Sequence, residues 1–339
     1  MPGSTWKRIG SAVLWMAAGV AAAPARGDVP PPDYDFQWAN ITDLNNPAYP
    51  GGPPFNVNAG RGSVSYGYRI SKLEITTQQW ADFLNMALRQ GVNITSGPAL
   101  KPAFWGASQS GSQFTVTNAL QPVIGLNWRA GAYYCNWLNN GKQESWASCQ
   151  SGAYDASTFG DLPDTTFTDQ TTRSPGAKFW IPSLDEWLKA AHYDPAKGGA
   201  GGWWSYPYRS DSAPVTGVPG AGSTSAGLDL PNFGEFKIPL GSYTGAVSAY
   251  GLWDLSGGSS EWNEETRGSI NGRPSARRAD GSFAGDTGGT LLDHIQNMTS
   301  DNPYAGSFYG FRIAGQIPAP SVVTVAFVGS AGFLFRGRR

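Results

Sequence analysis

Apolar residues recur at every third or fourth position in three segments of the chain, which predicts three amphipathic helices. Each segment opens on a residue that caps helix N-termini, namely Thr76, Asn127 and Ser183. Thr76 and Ser183 are also followed three residues later by Gln or Glu, which completes a capping box. The apolar positions are Trp80, Phe83, Leu84, Ala87 and Leu88, then Ala130, Tyr133, Tyr134, Trp137 and Leu138, then Leu184, Trp187, Leu188 and Ala191.

Other parts of the chain favour short strands and long loops. Residues 64–76 alternate loosely between β-branched or aromatic residues and others, which predicts a strand before the first helix. Residues 198–230 are rich in Gly, Ser and Pro, which is typical of a functional or inserted loop. We find no internal repeat and no domain boundary between residues 35 and 315. The pattern therefore indicates an irregular, loop-rich α/β (α+β) fold.

Composition agrees with this pattern and excludes one function class. The 339 residues include 45 Gly and 25 Pro, and only 14% are charged. Fourteen Trp, fourteen Tyr and sixteen Phe predict a core built on aromatic side chains. The net charge of −1 provides no basic field for nucleic acid, so we expect no nucleic-acid partner.

The two ends of the chain carry targeting signals. Residues 1–27 combine a short basic region, an apolar run and a small-residue cleavage site, which predicts an export signal; a membrane anchor is the alternative. At the other end, residues 317–339 hold an apolar stretch, Val322 to Phe335, followed by three arginines. That layout predicts transient membrane attachment with the arginines inside, although a final strand of the fold is also compatible.

A turn in the last third of the chain concentrates carboxylates. The sequence WDLSGGSSEWNEE runs from Trp253 to Glu265 and holds four of the 25 acidic residues. Asp254 and Glu261 flank a Ser-Gly-Gly-Ser-Ser run, in which backbone carbonyls can converge on a hard cation such as Ca²⁺. A solvated polar loop is the alternative. We expect Glu264 and Glu265, beyond the turn, to be solvated.

Five ordered blocks resemble one known family. YRISKLEITTQQWADFLN, PVIGLNWRAGAYYCNWLNNG, FWIPSLDEWLKAAHYDP, SAYGLWDLSGGSSEWNEE and GFRIAG are similar to the formylglycine-generating enzyme (sulfatase-modifying factor) family over about residues 60–315. The resemblance implies a domain, residues 28–316, with an irregular α/β fold related to C-type lectins. The tail from residue 317 resembles a PEP-CTERM sorting signal, and this implies processing by an exosortase-type enzyme, although Ala319 replaces the usual Glu.

Catalytic members of the resembled family oxidise a sulfatase cysteine through a copper-binding cysteine pair. The matching segment here, from Ala279 to Arg312, contains no cysteine. Soft Cu(I) requires thiolates, so we expect no copper and no catalytic residues. The resemblance therefore implies an exported, envelope-associated domain that binds a peptide or glycan, or has a structural role. A residual oxidase or another oxidoreductase activity in the same pocket is the alternative.

The resemblance also implies a structural calcium in the carboxylate turn. The ligand positions of the family correspond to Asp254, Gly257, Ser259 and Glu261, with side-chain oxygens from the first and last and carbonyls from the two between. The family has Asn, an apolar residue and Trp where this chain has Gly258, Ser259 and Ser260. Calcium is thus the expected cofactor.

The remaining cysteines and histidines are few. Cys135 and Cys149 would close a loop of about 15 residues if they formed a disulfide, or they are separate buried thiols. His192, at the end of the third predicted helix, fits capping or core packing better than catalysis. His294 lies in an unrelated segment, so no histidine cluster for iron is expected.

Overall fold

The three predicted helices are present, and each begins directly after its predicted capping residue. The computed structural model describes residues 31–53 and 56–318. The side chains of Thr76, Asn127 and Ser183 each accept a hydrogen bond from the backbone N–H three residues on, and both capping boxes are complete. Trp187, whose position on the third helix predicts burial, is 2% exposed. The helices are α1 (Thr77–Arg89), α2 (Trp128–Asn139) and α3 (Leu184–His192).

Short strands make two four-stranded sheets and two hairpins within the described residues. One sheet has the order β1-β2-β12-β5 and the other β10-β9-β8-β11, while β3-β4 and β6-β7 pair separately. The strands are β1 (Trp38–Ile41), β2 (Tyr68–Ser71), β3 (Ala107–Ser110), β4 (Gln113–Val116), β5 (Phe179–Trp180), β6 (Tyr193–Asp194), β7 (Gly202–Trp203), β8 (Ser260–Ile270), β9 (Arg273–Asp280), β10 (Thr299–Asp301), β11 (Tyr309–Gly310) and β12 (Ala314–Gly315).

The predicted strand at residues 64–76 is shorter than its sequence pattern suggests. Only Tyr68–Ser71 is extended, and all four residues are buried. This strand, β2, lies between β1 and β12, and its ladder with β12 comprises two residue pairs. A strand that is covered on both faces does not alternate between buried and exposed residues. The alternating pattern of residues 64–76 therefore did not indicate where β2 begins and ends.

An aromatic core lies between the helices and the sheets. Trp80 of α1, Trp128 of α2 and Trp262 of β8 have no exposed surface. Between α1 and α2, Phe83 and Tyr134 meet edge to face with ring centroids 5.4 Å apart, an arrangement that aromatic pairs prefer. The many aromatic residues therefore form the core, as the composition predicts.

The second sheet brings the last of the five sequence blocks, GFRIAG, against the carboxylate turn. Strands β8 and β9 form a hairpin whose Asn271 and Gly272 both have positive φ, the conformation of a type I′ turn. Strand β11 pairs in parallel with the start of β8, with Gly310 opposite Glu261. This register places Phe311 and Arg312, which follow β11, next to the turn.

The predicted targeting segments cannot be placed. Residues 1–27 lie wholly outside the described residues, as does the apolar stretch 322–335. The described residues belong to one compact unit. Within that unit, none of the helices has the length and apolar character needed to cross a membrane.

Candidate functional site: the carboxylate turn and the phenylalanine cluster

The turn between Trp253 and Glu261 depends on backbone conformations that favour glycine. Asp254, Gly257 and Gly258 all have positive φ. A methyl group on Gly257 would lie 2.3 Å from the Ser225 hydroxyl oxygen, and one on Gly258 would lie 2.3 Å from the Glu74 carboxylate. Both glycines therefore permit a close approach that any side chain would prevent.

The four residues expected to bind calcium are all buried, and each has protein partners. Asp254 Oδ2 accepts a hydrogen bond of 2.7 Å from the Gly241 backbone N–H. Both carboxylate oxygens of Glu261 accept from Arg312, and Oε2 also accepts from Trp187 Nε1 at 2.8 Å. Glu261 is thus the centre of a buried ion pair, a role that the sequence did not indicate.

Glu74 is a fifth member of this site, and the sequence analysis missed it. Its two carboxylate oxygens accept hydrogen bonds from the backbone N–H and the hydroxyl of Ser259 at 3.1 and 2.7 Å. Glu74 is buried, and it lies between two apolar residues, Leu73 and Ile75, just before the helix cap. A lone glutamate in an apolar stretch is the signal that could have identified it, because burial of a carboxylate requires partners.

The site carries more acid than base. Burial raises the pKa of Glu74 well above its usual range, and the neighbouring charge of Glu261 adds to this effect. Burial also raises the pKa of Asp254 to about 6. Glu74, Asp254 and Glu261 are all buried, and each interacts electrostatically with the single guanidinium of Arg312. A bound cation would restore the balance by favouring the ionised carboxylates.

The residues fit calcium in donor chemistry and in charge. Carboxylate and carbonyl oxygens are the ligands that Ca²⁺ takes, and the surplus of negative charge favours a divalent ion. In the described part of the chain, however, no three acidic, histidine or cysteine side chains converge as a metal centre would require. Both oxygens of Glu261 face Arg312, so calcium binding at this carboxylate would require the ion pair to rearrange.

Of the two glutamates after the turn, which the sequence predicts to be solvated, Glu264 is buried and Glu265 is only partly exposed. Glu264 is buried; it accepts hydrogen bonds from Tyr154 and from Arg173, and burial raises its pKa to about 7. Glu265 is partly buried and pairs with Arg61 at 3.0 Å. Both residues lie on β8, in the stretch between Trp262 and Thr266 where its register with β9 shifts, and each meets one arginine.

Neither cysteine belongs to the segment from Ala279 to Arg312, which matches the one that carries the catalytic pair in the resembled family. Cys135 is in α2 and Cys149 in the short 3₁₀ helix that follows, and both are buried free thiols. Burial raises the pKa of the Cys149 thiol to about 12, and that of Cys135 well above its usual value. The two groups are therefore neutral thiols, not the thiolates that bind copper.

His192 is a core residue, and it does not supply the positive charge that its position at the C-terminal end of α3 suggests. It ends α3, is 2% exposed, and its Nδ1 lies 3.2 Å from the Trp204 carbonyl oxygen. Burial lowers its pKa to about 3. The imidazole is therefore neutral at ordinary pH, and core packing, not a charge at the helix end, explains the residue.

Phenylalanines occupy the segment between Ala279 and Arg312. Two Gly-Ser-Phe sequences place Phe283 and Phe308 face to face, with ring centroids 4.2 Å apart and planes within 5°. Phe308 stacks in turn towards Phe236, and Phe236 contacts Phe104 and Phe233. We call these five residues the phenylalanine cluster. Phe233 is 61% exposed and Phe308 37%, whereas Phe236, which contacts both, is 4% exposed, so the cluster presents aromatic rings at the surface around a buried one.

Comparison with models of known protein families identifies the family of this chain. The model of the family described as the sulfatase-modifying factor enzyme 1-like domain matches residues 55–317. The protein belongs to this family. No curated protein matches the sequence of this family member.

Solved structures resemble the family member in fold. CarF matches with a TM-score of 0.51 and 17% identity, over 84% of this chain and 99% of that chain. Treponema denticola variable protein 1 matches with a TM-score of 0.52 and 19% identity, over 83% and 95%. PvdO from Pseudomonas aeruginosa matches with a TM-score of 0.45 and 16% identity, over 86% and 100%. The similarity to CarF and to Treponema denticola variable protein 1 shows a shared fold, and it confirms the mixed α+β, loop-rich architecture expected from the sequence. Because one fold can serve many functions, the function must be argued from the site.

Proposed function

We propose that this chain is a non-catalytic member of the sulfatase-modifying factor family that binds a ligand through the phenylalanine cluster. The observation that carries the proposal is the content of residues 279–312: this segment has no cysteine, and Phe283 and Phe308 stand in it as a stacked pair. A stacked aromatic pair supplies contact area but no redox chemistry. The segment therefore supports recognition and not oxidation.

The cluster has the properties of a recognition surface. An exposed aromatic ring such as Phe233, supported from behind by Phe104 and Phe236, offers rigid apolar area to a partner. Large apolar residues grouped at a surface mark interaction sites more often than single ones do. A peptide or a glycan, each with an apolar face, is the ligand class that this surface fits.

Peptide and glycan arrays probed with the full-length protein test this function. We expect array signals that Phe233→Ala reduces strongly, because the exposed ring is the outer contact. Leu44→Ala is the matched control, since Leu44 is 50% exposed and not a member of the cluster. An array without any signal for the native protein, or equal signals for native and Phe233→Ala protein, would contradict the proposal.

We also propose that the domain is exported and held at the cell envelope until an exosortase-type enzyme processes its tail. The apolar stretch 322–335 and the arginines after it support this, together with the export signal predicted at residues 1–27. Deletion of residues 318–339 should release the protein into the medium. Recovery of the full-length protein in the cytosolic fraction would refute the proposal.

Calcium in the carboxylate turn is the third part of the proposal. Asp254 and Glu261 would supply carboxylate oxygens, Gly257 and Ser259 carbonyls, and the ion would offset the surplus negative charge around Glu74. A cavity of about 260 Å³ lined by Glu74 offers a route to this carboxylate. At a hundredfold excess over its dissociation constant, calcium would add about 2.7 kcal/mol to the free energy of unfolding.

Thermal melting with calcium and with EGTA tests the ion. The midpoint of the native protein should be higher with calcium, and the difference should vanish in Asp254→Ala and Glu261→Ala. Asp82→Ala, which removes an exposed carboxylate on α1, should keep the difference. Coincident curves for the native protein in calcium and in EGTA would show that the turn binds no calcium.

A further inference from the structure

A second acidic site lies beside the phenylalanine cluster, in a cavity of about 690 Å³. We call it the acidic cavity. Three of its ten lining residues are acidic, four are glycines, and none is Lys, Arg or His. The lining residues are Thr216, Gly227, Leu228, Asp229, Glu235, Gly285, Asp286, Thr287, Gly288 and Gly289.

Two of the three carboxylates, those of Asp286 and Glu235, are buried, and that of Asp286 is incompletely paired. Asp286 is 7% exposed; its Oδ1 accepts a hydrogen bond of 2.8 Å from the Gly288 N–H, while its Oδ2 is buried without a hydrogen-bond partner among the described residues. Glu235 is 5% exposed, and its Oε2 accepts from the Leu230 N–H at 3.1 Å. A buried carboxylate oxygen without a donor is costly, so Asp286 needs a further partner.

Gly285 holds the two carboxylates in one wall of the cavity. Its φ is +71°, and a methyl group in its place would lie 3.2 Å from Glu235 Oε1 and 3.3 Å from the Leu228 carbonyl oxygen. The backbone of the segment that carries Asp286 therefore approaches Glu235 more closely than a larger residue would allow. The carbonyl oxygen of Leu228 and the carboxylates of Glu235 and Asp286 thus belong to residues that line the same cavity.

A positive group with N–H donors satisfies these acceptors better than a metal ion does. No three acidic, histidine or cysteine side chains in the described chain form a metal centre, and the cavity is far larger than one ion needs. A guanidinium or ammonium group would donate to Asp286 and Glu235 through charge-assisted hydrogen bonds, which are shorter and stronger than neutral ones.

The acidic cavity is continuous with the phenylalanine cluster along two segments. Phe236 follows Glu235 directly, and the Asp286 N–H donates to the Phe283 carbonyl oxygen at 3.1 Å. Aromatic faces attract cations, and guanidinium groups above all. A ligand with an apolar group beside a cationic side chain would fill both sites.

We propose that the acidic cavity binds the guanidinium or ammonium group of an arginine or lysine side chain in a peptide ligand. This inference rests on the proposed binding function and makes it specific: the ligand is a peptide whose basic side chain enters the cavity while a neighbouring apolar group contacts the phenylalanine cluster. The buried carboxylates of Asp286 and Glu235 accept hydrogen bonds, and they therefore favour a positively charged group that donates them.

Calorimetric titration of the full-length protein tests the inference with defined probes. The probes are the acetylated amides of Phe-Arg, Phe-Lys and Phe-citrulline, the last being a neutral analogue of the first. We expect the arginine and lysine dipeptides to bind, and the citrulline dipeptide to bind at least about tenfold more weakly, because a charged hydrogen bond is lost. Equal binding of the arginine and citrulline probes would overturn the inference.

Substitutions that remove charge without removing shape locate the binding. Asp286→Asn and Glu235→Gln should each weaken the arginine probe at least about tenfold, while Asp82→Asn, on α1, should leave it unchanged. Near-ultraviolet circular dichroism establishes that each variant is folded, and two independent variants keep the test decisive if one is not. Unchanged affinity in both folded variants, or displacement of the arginine probe by calcium alone, would refute the site.

Failure of this inference differs from failure of the proposed function. Peptide array signals that depend on Phe233 but not on Asp286 would leave the binding function intact and refute the acidic cavity as its basic-residue site. Binding of the arginine probe that depends on Asp286, together with arrays that give no Phe233-dependent signal, would refute the role of the phenylalanine cluster alone.

Discussion

Replacement of Arg312 by methionine should destabilise the protein more than any surface change. Arg312 has no exposed surface, pairs with both oxygens of Glu261, and donates to the carbonyl oxygens of Ser71 at 3.0 Å and Trp253 at 3.1 Å. Arg312→Met fills most of the volume but leaves Glu261 buried and unpaired. Loss of one partner of a buried ion pair costs about 3–5 kcal/mol.

Urea unfolding followed by tryptophan fluorescence measures this loss, and a second pair supplies the control. Arg89 and Glu144 form an ion pair in which both side chains are more than half exposed. Arg89→Met should therefore cost no more than about 1 kcal/mol. The melting midpoint of Arg312→Met should fall by about 6–10 °C, since 1 kcal/mol corresponds to roughly 2 °C in a domain of this size.

A double variant separates the ion pair from simple packing. If the cost of Arg312→Met comes from the unpaired Glu261, then adding Glu261→Gln should recover part of it, because both charges are then absent. A free energy of unfolding for Arg312→Met within 1 kcal/mol of the native value would refute the reasoning. A double variant that is less stable than Arg312→Met would show that the two residues act independently.

Three further changes test the core, the thiols and the buried acids. Trp187→Ala should cost about 3–5 kcal/mol in urea unfolding and Trp187→Phe clearly less; equal costs would contradict the packing of this ring. Cys135 and Cys149, as buried free thiols, should react with iodoacetamide only after unfolding, and a reductant should leave the melting midpoint unchanged; a mass that shows a disulfide would contradict the structure. Burial raises the pKa of Asp293 to about 7, so the folded chain keeps a proton that the unfolded carboxyl, with a pKa of about 3.9, has lost. This residue therefore lowers the free energy of unfolding as the pH rises from about 4 to 7, and Asp293→Asn should remove that part of the pH dependence; parallel pH profiles would exclude the effect.

The local structure of the helices could be predicted because each signal acts within a few residues. A cap such as Ser183 and the apolar spacing after it are satisfied inside one turn of helix, so Trp187 could be expected in the core. The limits of β2 could not be predicted in this way. They depend on β12, which lies more than 240 residues further along the chain.

The partners of the acidic residues could not be predicted for a similar reason. Glu261 meets Arg312, Glu264 meets Arg173, and Glu74 meets Ser259 only after distant segments assemble. A row of carboxylates in the sequence is compatible with a solvated loop, a cation site or a set of buried ion pairs. Only the spatial arrangement shows that Glu261 and Glu264 are paired with arginines.

The resemblance to a family predicted the fold and the family itself, but not the aromatic surface that residues of the segment 279–312 help to form. The absence of cysteine between Ala279 and Arg312 is visible in the sequence. The stacking of Phe283 on Phe308, and their contact with Phe236 from another segment, is not. The acidic cavity likewise requires Glu235 and Asp286 to approach across Gly285, a contact between segments 50 residues apart.

Oxidation of a sulfatase-type cysteine peptide is the most direct test of the claim that this family member has no catalytic function. The full-length protein is incubated with the peptide, copper and oxygen, and the product is analysed by mass spectrometry beside a catalytic family member as the positive control. We expect the peptide to keep its cysteine, because the segment 279–312 supplies no thiolate for copper. Formylglycine in the peptide above the level of a protein-free control would contradict it.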